Sequence, residues 1–327
     1  MRVILVTGGA GFIGSTFIKY FLRRNKDFII VNLDKLTYAA SLENLRELEN
    51  SPRHHFVKGD ICNQDLVNYI MKRFRPDYVI NFAAETHVDK SISNPAVFVQ
   101  SNVMGTLTLL EAARYQWNRG DIHNNRFIQV STDEVYGSLQ NDEDFFMEES
   151  NLAPNSPYSA SKAGADMLVR SFVKTHGMPA AITRSCNNYG PCQNSEKFIP
   201  KCILNALEDK PIPIYGDGMN KREWINVIDH CIGIIRVMFY GKPGEIYNIS
   251  SGEEISNIDI AKRILSIMGK PENAIEMIDD RPGHDRRYAL NSYKIRNNLS
   301  WSSKYNLDEG LRETVKWYKD NSDRWKR

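Results

Sequence analysis

The chain has 327 residues, enough for two domains or for one large α/β unit with an appended lobe. Its hydrophobic content of 42% and charged content of 25% are ordinary for a globular protein. A net charge of +2, with both signs mixed along the chain, excludes a strongly basic protein of the kind that coats nucleic acid or anionic membranes.

The five cysteines are odd in number and lack C-x-x-C spacing. We therefore predict reduced thiols in a cytoplasmic protein and no metal site. The first residues lack the architecture of a signal peptide, and no segment approaches the roughly 18 apolar residues that a membrane span requires. Neither a membrane nor nucleic acid is an expected partner.

The first predicted element is a short strand at residues 3–6, rich in β-branched side chains. It leads directly into a glycine-rich turn and then a predicted helix, with glycines at Gly8, Gly11 and Gly14. Strand, glycine turn and helix in this order are typical of a dinucleotide site, because the glycines let the backbone approach a pyrophosphate at the N-terminus of the helix.

A second predicted strand, residues 28–33, ends at Asp34, about 20 residues after the turn, where a ribose-binding acid is expected. An acid at this position repels a 2′-phosphate and therefore favours NAD over NADP. The neighbouring Lys35 acts against this preference. The alternative is a glycine-rich turn with an exposed aspartate.

The alternation of strands and helices continues through the first half of the chain. Further strands are predicted at residues 55–60, 77–82, 127–130 and 180–183, and helices at 65–73, 95–115 and 157–176. Such repetition predicts an α/β fold, a doubly wound parallel sheet of the Rossmann type. Ala83 and Ala84 follow one strand and are small enough to let a cofactor lie close.

Two adjacent carboxylates, Asp133 and Glu134, follow the strand at 127–130, and ligands bind at strand ends in open α/β sheets. An acidic loop is predicted over residues 141–151. Tyr158 and Lys162 then lie four residues apart on one helix face. An ammonium near a phenol stabilises the phenolate, so we expect Lys162 to lower the pKa of Tyr158 toward that of a general base.

Past residue 185 the predicted elements become shorter and more irregular. Helices are predicted near residues 200–208, 228–240, 258–268 and 307–319, and extended segments at 212–216 and 245–249. We predict a cofactor-binding domain at 1–185 that carries the catalytic residues, and a smaller mixed lobe at 186–327. The chain is free to cross back between the two, and a substrate pocket is expected between them.

Taken together, the glycine turn, Asp34, Tyr158 and Lys162 resemble the extended short-chain dehydrogenase/reductases that modify nucleotide sugars. Within that class, residues 131–137 are similar to the signature of the dTDP-glucose 4,6-dehydratases. Related epimerases and decarboxylases carry small or hydroxyl residues where Asp133 and Glu134 stand. Further blocks that match the dehydratases lie at residues 34–39, 85–89, 187–191, 196–197 and 280–288.

The resemblance implies an NAD-dependent hydro-lyase and assigns its catalytic residues. Tyr158, helped by Lys162, takes the C4 hydroxyl proton, and Thr132 hydrogen-bonds the C4 oxygen. Glu134 removes the C5 proton, and protonated Asp133 donates to the leaving C6 hydroxyl. Two adjacent carboxylates suit this division, because the pKa of one of them rises.

The resemblance also implies the binding residues. The cofactor residues are Gly8, Gly11, Phe12, Ile13, Gly14, Asp34, Lys35, Thr37, Asp60, Ile61, Ala83, Ala84, Thr86, Tyr158 and Lys162. The residues for a nucleotide-diphosphate sugar are Thr86, Thr132, Asn187, Glu196, Lys197, Tyr215, Arg222, Asn257, Arg281 and His284. A homodimer through the helices near 95–115 and 157–176 is expected.

Three alternatives remain at this stage. Residues 185–186 and 192–195 differ from the dehydratase pattern next to the pocket, which leaves a 4,6-dehydratase acting on UDP-glucose or UDP-N-acetylglucosamine open. A nucleotide-sugar 4-epimerase is a rival on the same scaffold, against which Asp133 and Glu134 stand. A non-catalytic NAD-binding protein is the third alternative.

Overall fold

The structure is a computed structural model that describes residues 1–117, 124–280 and 282–325. The strands in these ranges are β1 Arg2–Thr7, β2 Phe28–Asp34, β3 His54–Lys58, β4 Tyr78–Asn81, β5 Arg126–Thr132, β6 Ala180–Ser185, β7 Asn187–Tyr189, β8 Ile212–Tyr215, β9 Lys221–Asn226, β10 Ile246–Ile249, β11 Glu254–Ser256 and β12 Ile275–Ile278. The α-helices are α1 Phe12–Arg24, α2 Gln64–Phe74, α3 Val88–Ser93, α4 Pro95–Phe98, α5 Gly105–Trp117, α6 Pro157–His176, α7 Phe198–Leu207, α8 Val227–Tyr240, α9 Asn257–Met268, α10 Tyr293–Leu299 and α11 Leu307–Asp320.

A parallel sheet in the order β10-β6-β5-β4-β1-β2-β3 forms the centre of the molecule. Its strands are aliphatic on both faces, as strands covered by helices on each side must be. Helices α1 and α8 pack on one face, and α2, α5 and α6 pack on the other. The predicted doubly wound fold is confirmed, and the carboxyl ends of β1, β4, β5 and β6 share one edge.

The helix predicted over residues 95–115 is helical throughout, but it is not one regular α-helix. It consists of α4, a π-helical segment Val99–Met104, and α5. Buried Asn102 lies in the widened segment, where its Nδ2 donates to Ser161 Oγ at 2.8 Å and its Oδ1 accepts from the Glu85 N–H at 2.8 Å. The π segment thus joins the strand edge to α6, the helix of the predicted tyrosine and lysine.

The second half of the chain contributes a smaller lobe with its own apolar cluster, built mainly on α7, α9 and α11. Strands β7, β9 and β11 form a three-stranded sheet, and β8 pairs with β12. The short strands β7, β9, β11 and β12 were missed in the sequence, because three to six residues that include polar or charged side chains carry little periodic signal. Strand β10 crosses back to pair with β6, and the boundary at 185/186 stays a prediction.

Helix α6 shows why the local sequence folds as it does. Ser156 caps it, with Ser156 Oγ accepting from the Ser159 N–H at 3.1 Å and Ser159 Oγ accepting from the Ser156 N–H at 3.1 Å. Pro157 opens the first turn, and Gly177, at φ +63°, ends the helix in the left-handed conformation. A helix fixed at both ends is a rigid support for side chains that face the sheet.

Among the described residues no helix is long and apolar enough to cross a membrane. The same ranges contain no group of three or more His, Cys, Asp or Glu side chains that could hold a metal ion. All five cysteines are free thiols, as predicted.

Candidate active site

A cavity of about 760 Å³ opens at the carboxyl edge of the sheet, between the sheet and the second lobe. Every residue assigned to catalysis, cofactor or substrate in the sequence lines this cavity, with one exception. The exception is Arg281, which lies outside the described residues. Residues separated by up to 276 positions, from Gly8 to His284, are therefore brought to one site.

The glycine turn forms a cradle that only glycine fits. Gly8 has φ +68°, and a Cβ on it would lie 2.7 Å from the backbone nitrogen of Ala83. A Cβ on Gly14 would lie 2.3 Å from the Gly8 carbonyl oxygen. The backbone between β1 and α1 is thus bare at the N-terminus of a helix, which suits the pyrophosphate of a dinucleotide.

Asp34 is held at the end of β2, where ribose recognition is expected. Its Oδ2 accepts from the Ala10 N–H at 2.9 Å and its Oδ1 from the Leu36 N–H at 2.8 Å, while burial raises its pKa. The Lys35 Nζ lies 3.6 Å from Asp60 Oδ2 and 3.5 Å from Glu85 Oε1. Two carboxylates therefore balance the lysine charge, so it offers little attraction to a 2′-phosphate.

The carboxylate pair lies in a 3₁₀ turn, Asp133–Tyr136, that follows β5 without a gap. Thr132 Oγ1 accepts from the Glu134 N–H at 3.3 Å and donates to Asp133 Oδ1 at 3.1 Å. Asp133 is 1% exposed, and its Oδ2 has no hydrogen-bond partner within the described part of the chain. Burial, and then the charge of Glu134, raise the pKa of Asp133 well above its usual range.

Glu134 lies at intermediate exposure beside its buried neighbour. The two adjacent carboxyl groups therefore sit in different environments: one is buried and disposed to keep its proton, while the other is open to the cavity. Such a pair can divide acid and base roles at one pH.

Tyr158 and Lys162 face the same cavity from α6. The Lys162 Nζ donates to the Val130 carbonyl at 2.7 Å, and burial lowers the pKa of Lys162 to about 8. Burial, followed by the charges of Glu134 and Asp133, raises the pKa of the Tyr158 phenol well above its usual range. The expected lowering of the Tyr158 pKa by Lys162 was wrong, because burial raises this pKa. A hydrogen bond with Thr132 acts in the lowering direction.

The lobe side of the cavity carries the cationic side chains. Arg222 is 4% exposed, its Nη2 donates to the Asp285 carbonyl at 2.6 Å, and its guanidinium lies 4.3 Å from the Tyr288 ring centre. Lys197 Nζ donates to the Thr86 carbonyl at 2.7 Å, and His284 Nδ1 lies 2.6 Å from Asp280 Oδ1. The cations are thus held in place by the protein before any anion binds.

A polar clamp, which sequence reasoning did not find, joins the two sides of the cavity. Glu196 Oε2 lies 3.2 Å from Lys90 Nζ and 3.6 Å from His87 Nε2. The Lys90 ammonium also lies 3.3 Å from the centre of the Tyr38 ring. Glu196, predicted to bind substrate, therefore also ties the second lobe to α3 and to the loop after β2.

A buried ion pair behind the site was missed as well. Arg184 Nε donates to Asp166 Oδ2 at 2.9 Å, and both side chains are at most 1% exposed. Asp166 lies four residues after Lys162, a spacing that could have indicated a shared helix face. Its partner is on β6 and could be found only from the fold.

The doubly wound sheet, the glycine cradle and the Tyr158–Lys162 pair on one cavity define an extended short-chain dehydrogenase/reductase. The family model described as GDP-mannose 4,6 dehydratase matches residues 5–314. A dTDP-glucose 4,6-dehydratase from Neisseria meningitidis is 46% identical, covering 99% of this chain and 95% of the relative. The chain belongs to the dTDP-glucose 4,6-dehydratase family, as the resemblance indicated.

Two solved structures place the fold in context. A dTDP-glucose 4,6-dehydratase from Streptomyces venezuelae, solved with NAD bound, is 42% identical with a TM-score of 0.94, and the match covers 99% of each chain. A UDP-glucose 4-epimerase from Thermotoga maritima is 28% identical with a TM-score of 0.89, covering 98% of this chain and 100% of that one. Because dehydratase and epimerase share the scaffold, the distinction between them depends on site residues.

Proposed function

We propose that this protein is an NAD-dependent dTDP-glucose 4,6-dehydratase, which forms dTDP-4-keto-6-deoxyglucose and water. The observation that carries the proposal is the pair of unlike carboxyl groups, buried Asp133 and more open Glu134, in one cavity with Tyr158 and Lys162. An epimerase needs no acid and base for elimination, so the pair favours the dehydratase.

The cofactor is NAD, and the bare glycine cradle and Asp34 fit it. When bound, NAD would supply the hydride acceptor for oxidation at C4 and the hydride for reduction at C6. Gly8 and Gly14 leave room for the pyrophosphate, and Asp34 retains lone pairs on both oxygens for ribose hydroxyls. The balanced charge of Lys35 supports NAD rather than NADP.

The oxidation half of the reaction belongs to Tyr158, Lys162 and Thr132. Tyr158 takes the proton of the C4 hydroxyl, and Thr132 orients the C4 oxygen. The buried phenol has a raised pKa, so its ionisation depends on nearby positive charge. Lys162 supplies that charge from the next turn of α6.

The elimination half belongs to the carboxylate pair. Oxidation at C4 makes the C5 proton acidic, and Glu134 removes it from the open side of the cavity. Asp133 donates its proton to the C6 hydroxyl, which leaves as water. When the hydride returns to C6, protonated Glu134, in exchange with solvent, gives a proton back to C5. The position of Asp133 is held by the Thr132 hydroxyl, so one side chain aligns both halves of the reaction.

The nucleotide diphosphate is held by the cations of the second lobe. Arg222 and Lys197 are fixed by backbone carbonyls, and Asn187 and Asn257 also line the cavity. Because these cationic side chains are already held in place, they lose less conformational freedom when the dianionic pyrophosphate binds. Arg281, the remaining assigned cation, keeps its role as a prediction from the sequence.

A homodimer is part of the proposal. The surface formed by α4, the π segment and α6 exposes apolar side chains, with Val97, Val99, Met104 and Met167 each 40–49% exposed. Contiguous exposed apolar surface on two packed helices is typical of a protein interface. Light scattering at micromolar concentration should give a dimer mass, and a V99E/M167E variant a monomer. An equally disruptive change at exposed Tyr240, Y240E, should leave the dimer intact.

The substrate is tested by incubating the protein with dTDP-glucose, UDP-glucose, CDP-glucose and UDP-N-acetylglucosamine in separate reactions. The proposal predicts that dTDP-glucose gives a 4-keto-6-deoxy product, seen as loss of one water by mass spectrometry. Reaction of a UDP-sugar alone would transfer the assignment to the UDP-sugar alternative. An isomer of unchanged mass would indicate an epimerase.

A further inference from the structure

Several buried ionisable side chains have no part in the proposed roles, and one pair of them includes a residue on α6, the helix of Tyr158 and Lys162. Asp166 and Arg184 are at most 1% exposed and form an ion pair 2.9 Å long. Removing two charges from water costs several kcal/mol for each ion, and replacement of such a pair by apolar side chains is often neutral for stability. Stability alone therefore does not explain why the pair lies directly behind the active site.

The placement of the pair points to Lys162. Tyr158, Lys162 and Asp166 follow one another at intervals of four residues, so they share the buried face of α6. The Lys162 Nζ is directed toward the end of β5 by its bond to the Val130 carbonyl. Arg184 on β6 donates from Nε to Asp166 Oδ2 at 2.9 Å and so fixes the carboxylate.

We propose that Asp166, held by Arg184, is a positioning residue that keeps the buried Lys162 ammonium charged beside Tyr158. The inference deepens the proposed function and rests on it for the role of Lys162 in the C4 oxidation. Without a nearby anion, a buried ammonium loses its proton readily, and the phenol then loses its cationic neighbour.

The electrostatics agree with this placement. Burial lowers the pKa of Lys162, and the charge of Asp166 raises it. Burial raises the pKa of Asp166, while the charges of Arg184 and Lys162 act in the lowering direction and favour the carboxylate form. The other ionisable groups that face this cluster are Tyr158 on α6 and Asp133, Glu134 and Tyr136 in the 3₁₀ turn.

The test is a pH profile of kcat for Asp166→Asn. Loss of the carboxylate should lower the pKa of Lys162 by about one unit, an ordinary effect of one nearby charge. At about pH 6, Lys162 stays protonated in both the wild type and the variant, so their kcat values should be similar. At about pH 9, less of the variant keeps the ammonium, and its kcat should be about tenfold lower than that of the wild type. Asp166→Glu, which retains the carboxylate, should restore the profile.

A matched control is available in Asp229, a fully buried carboxylate on α8 that accepts from Ser303, Lys304 and Tyr305. Asp229→Asn makes the same chemical change far from Lys162 and should leave the shape of the profile unchanged. A uniform loss of kcat at all pH values in Asp166→Asn would show a structural role only and would overturn the proposal. If the Asp166→Asn protein does not fold, the same pH profile is measured with Asp166→Ser, which also lacks the carboxylate.

A second readout does not require activity. Protein labelled with ¹³C at the lysine Cε, with the signal of Lys162 assigned by Lys162→Arg, gives the titration of this ammonium directly. The midpoint should fall in Asp166→Asn and stay unchanged in Asp229→Asn. An unchanged midpoint in both refutes the Asp166 proposal even if the protein is a dehydratase. A shifted midpoint in a protein without dehydratase activity would instead refute the proposed function.

Discussion

Thr132 Oγ1 donates a 3.1 Å hydrogen bond to Oδ1 of its neighbour Asp133, whose other oxygen is buried without a partner in the described part of the chain. A buried, partly satisfied carboxyl group is most easily accommodated in its neutral form. The raised pKa of Asp133 follows from this burial. Burial therefore disposes the carboxyl group at the end of β5 to keep its proton, next to the more exposed Glu134.

Replacing Asp133 with asparagine should stop the reaction after the C4 oxidation. Asparagine keeps the size of the side chain and its bond to Thr132 but cannot donate a carboxyl proton. We expect kcat to fall by about 10²- to 10⁴-fold, the usual contribution of a general acid, while reduced cofactor accumulates. Cofactor fluorescence during a single turnover measures this, and normal turnover by the variant would contradict the acid role.

Glu134→Gln should instead prevent removal of the C5 proton. In deuterium oxide, the wild-type enzyme is expected to give product with deuterium at C5, whereas the variant should form almost no product and exchange no C5 proton of the substrate. Nuclear magnetic resonance of the sugar signals distinguishes these outcomes. Exchange at the wild-type rate in Glu134→Gln would exclude this residue as the base.

Buried Glu223 on β9 should make stability depend on pH. Burial raises its pKa from 4.5 to about 7, and its Oε2 accepts from the Leu290 N–H at 2.8 Å. When the pKa of a carboxyl group is higher in the folded than in the unfolded protein, the protonated group stabilises the fold. This stabilisation is complete below the pKa of the unfolded state and is lost as the pH rises through the pKa of the folded state. Between about pH 4 and pH 8, the free energy of unfolding of Glu223→Gln should therefore rise by up to about 3 kcal/mol relative to that of the wild type.

Urea unfolding at the two pH values measures the change for Glu223→Gln. Glu276→Gln, at an exposed position of β12, is the control and should show no such gain. An equal difference between Glu223→Gln and wild type at both pH values would show that the buried carboxyl group does not titrate as described.

Gly14→Ala should abolish cofactor binding, because its Cβ would lie 2.3 Å from the Gly8 carbonyl oxygen and would force the cradle open. Gly269→Ala is the matched control: at φ +68° with open space around it, alanine should cost about 1 kcal/mol of stability and leave affinity unchanged. Calorimetric titration with NAD separates the two effects. Equal NAD affinity in both variants would contradict the claim that the glycine turn binds NAD.

Local signals in the sequence were sufficient for the parts of the site that lie within one element. The glycine turn, Asp34, the Asp133–Glu134 pair and the Tyr158–Lys162 spacing are each contained in a few consecutive residues, and the structure brings them to one cavity. Doubly wound topology followed from the alternation of strands and helices.

Relationships between distant segments were beyond sequence reasoning. Pairing of Arg184 with Asp166 requires β6 to lie beside β5 under α6, and contact of Glu196 with Lys90 requires the second lobe to close over α3. The π segment was missed because its apolar spacing matches that of an α-helix, and the hydrogen bond of Asn102 within it goes to Ser161, 59 residues away. The direction of the Tyr158 pKa was wrong because desolvation is a property of the folded cavity.

The most direct test follows a deuterium label from C4 of dTDP-glucose through a complete turnover. An intramolecular 4,6-dehydration predicts a product lighter by one water with the deuterium at C6, because the hydride taken from C4 is returned within the same active site. Mass spectrometry and nuclear magnetic resonance give both results from one sample. A product with unchanged mass and the label retained at C4, or loss of water with the label absent from C6, would contradict the proposed function.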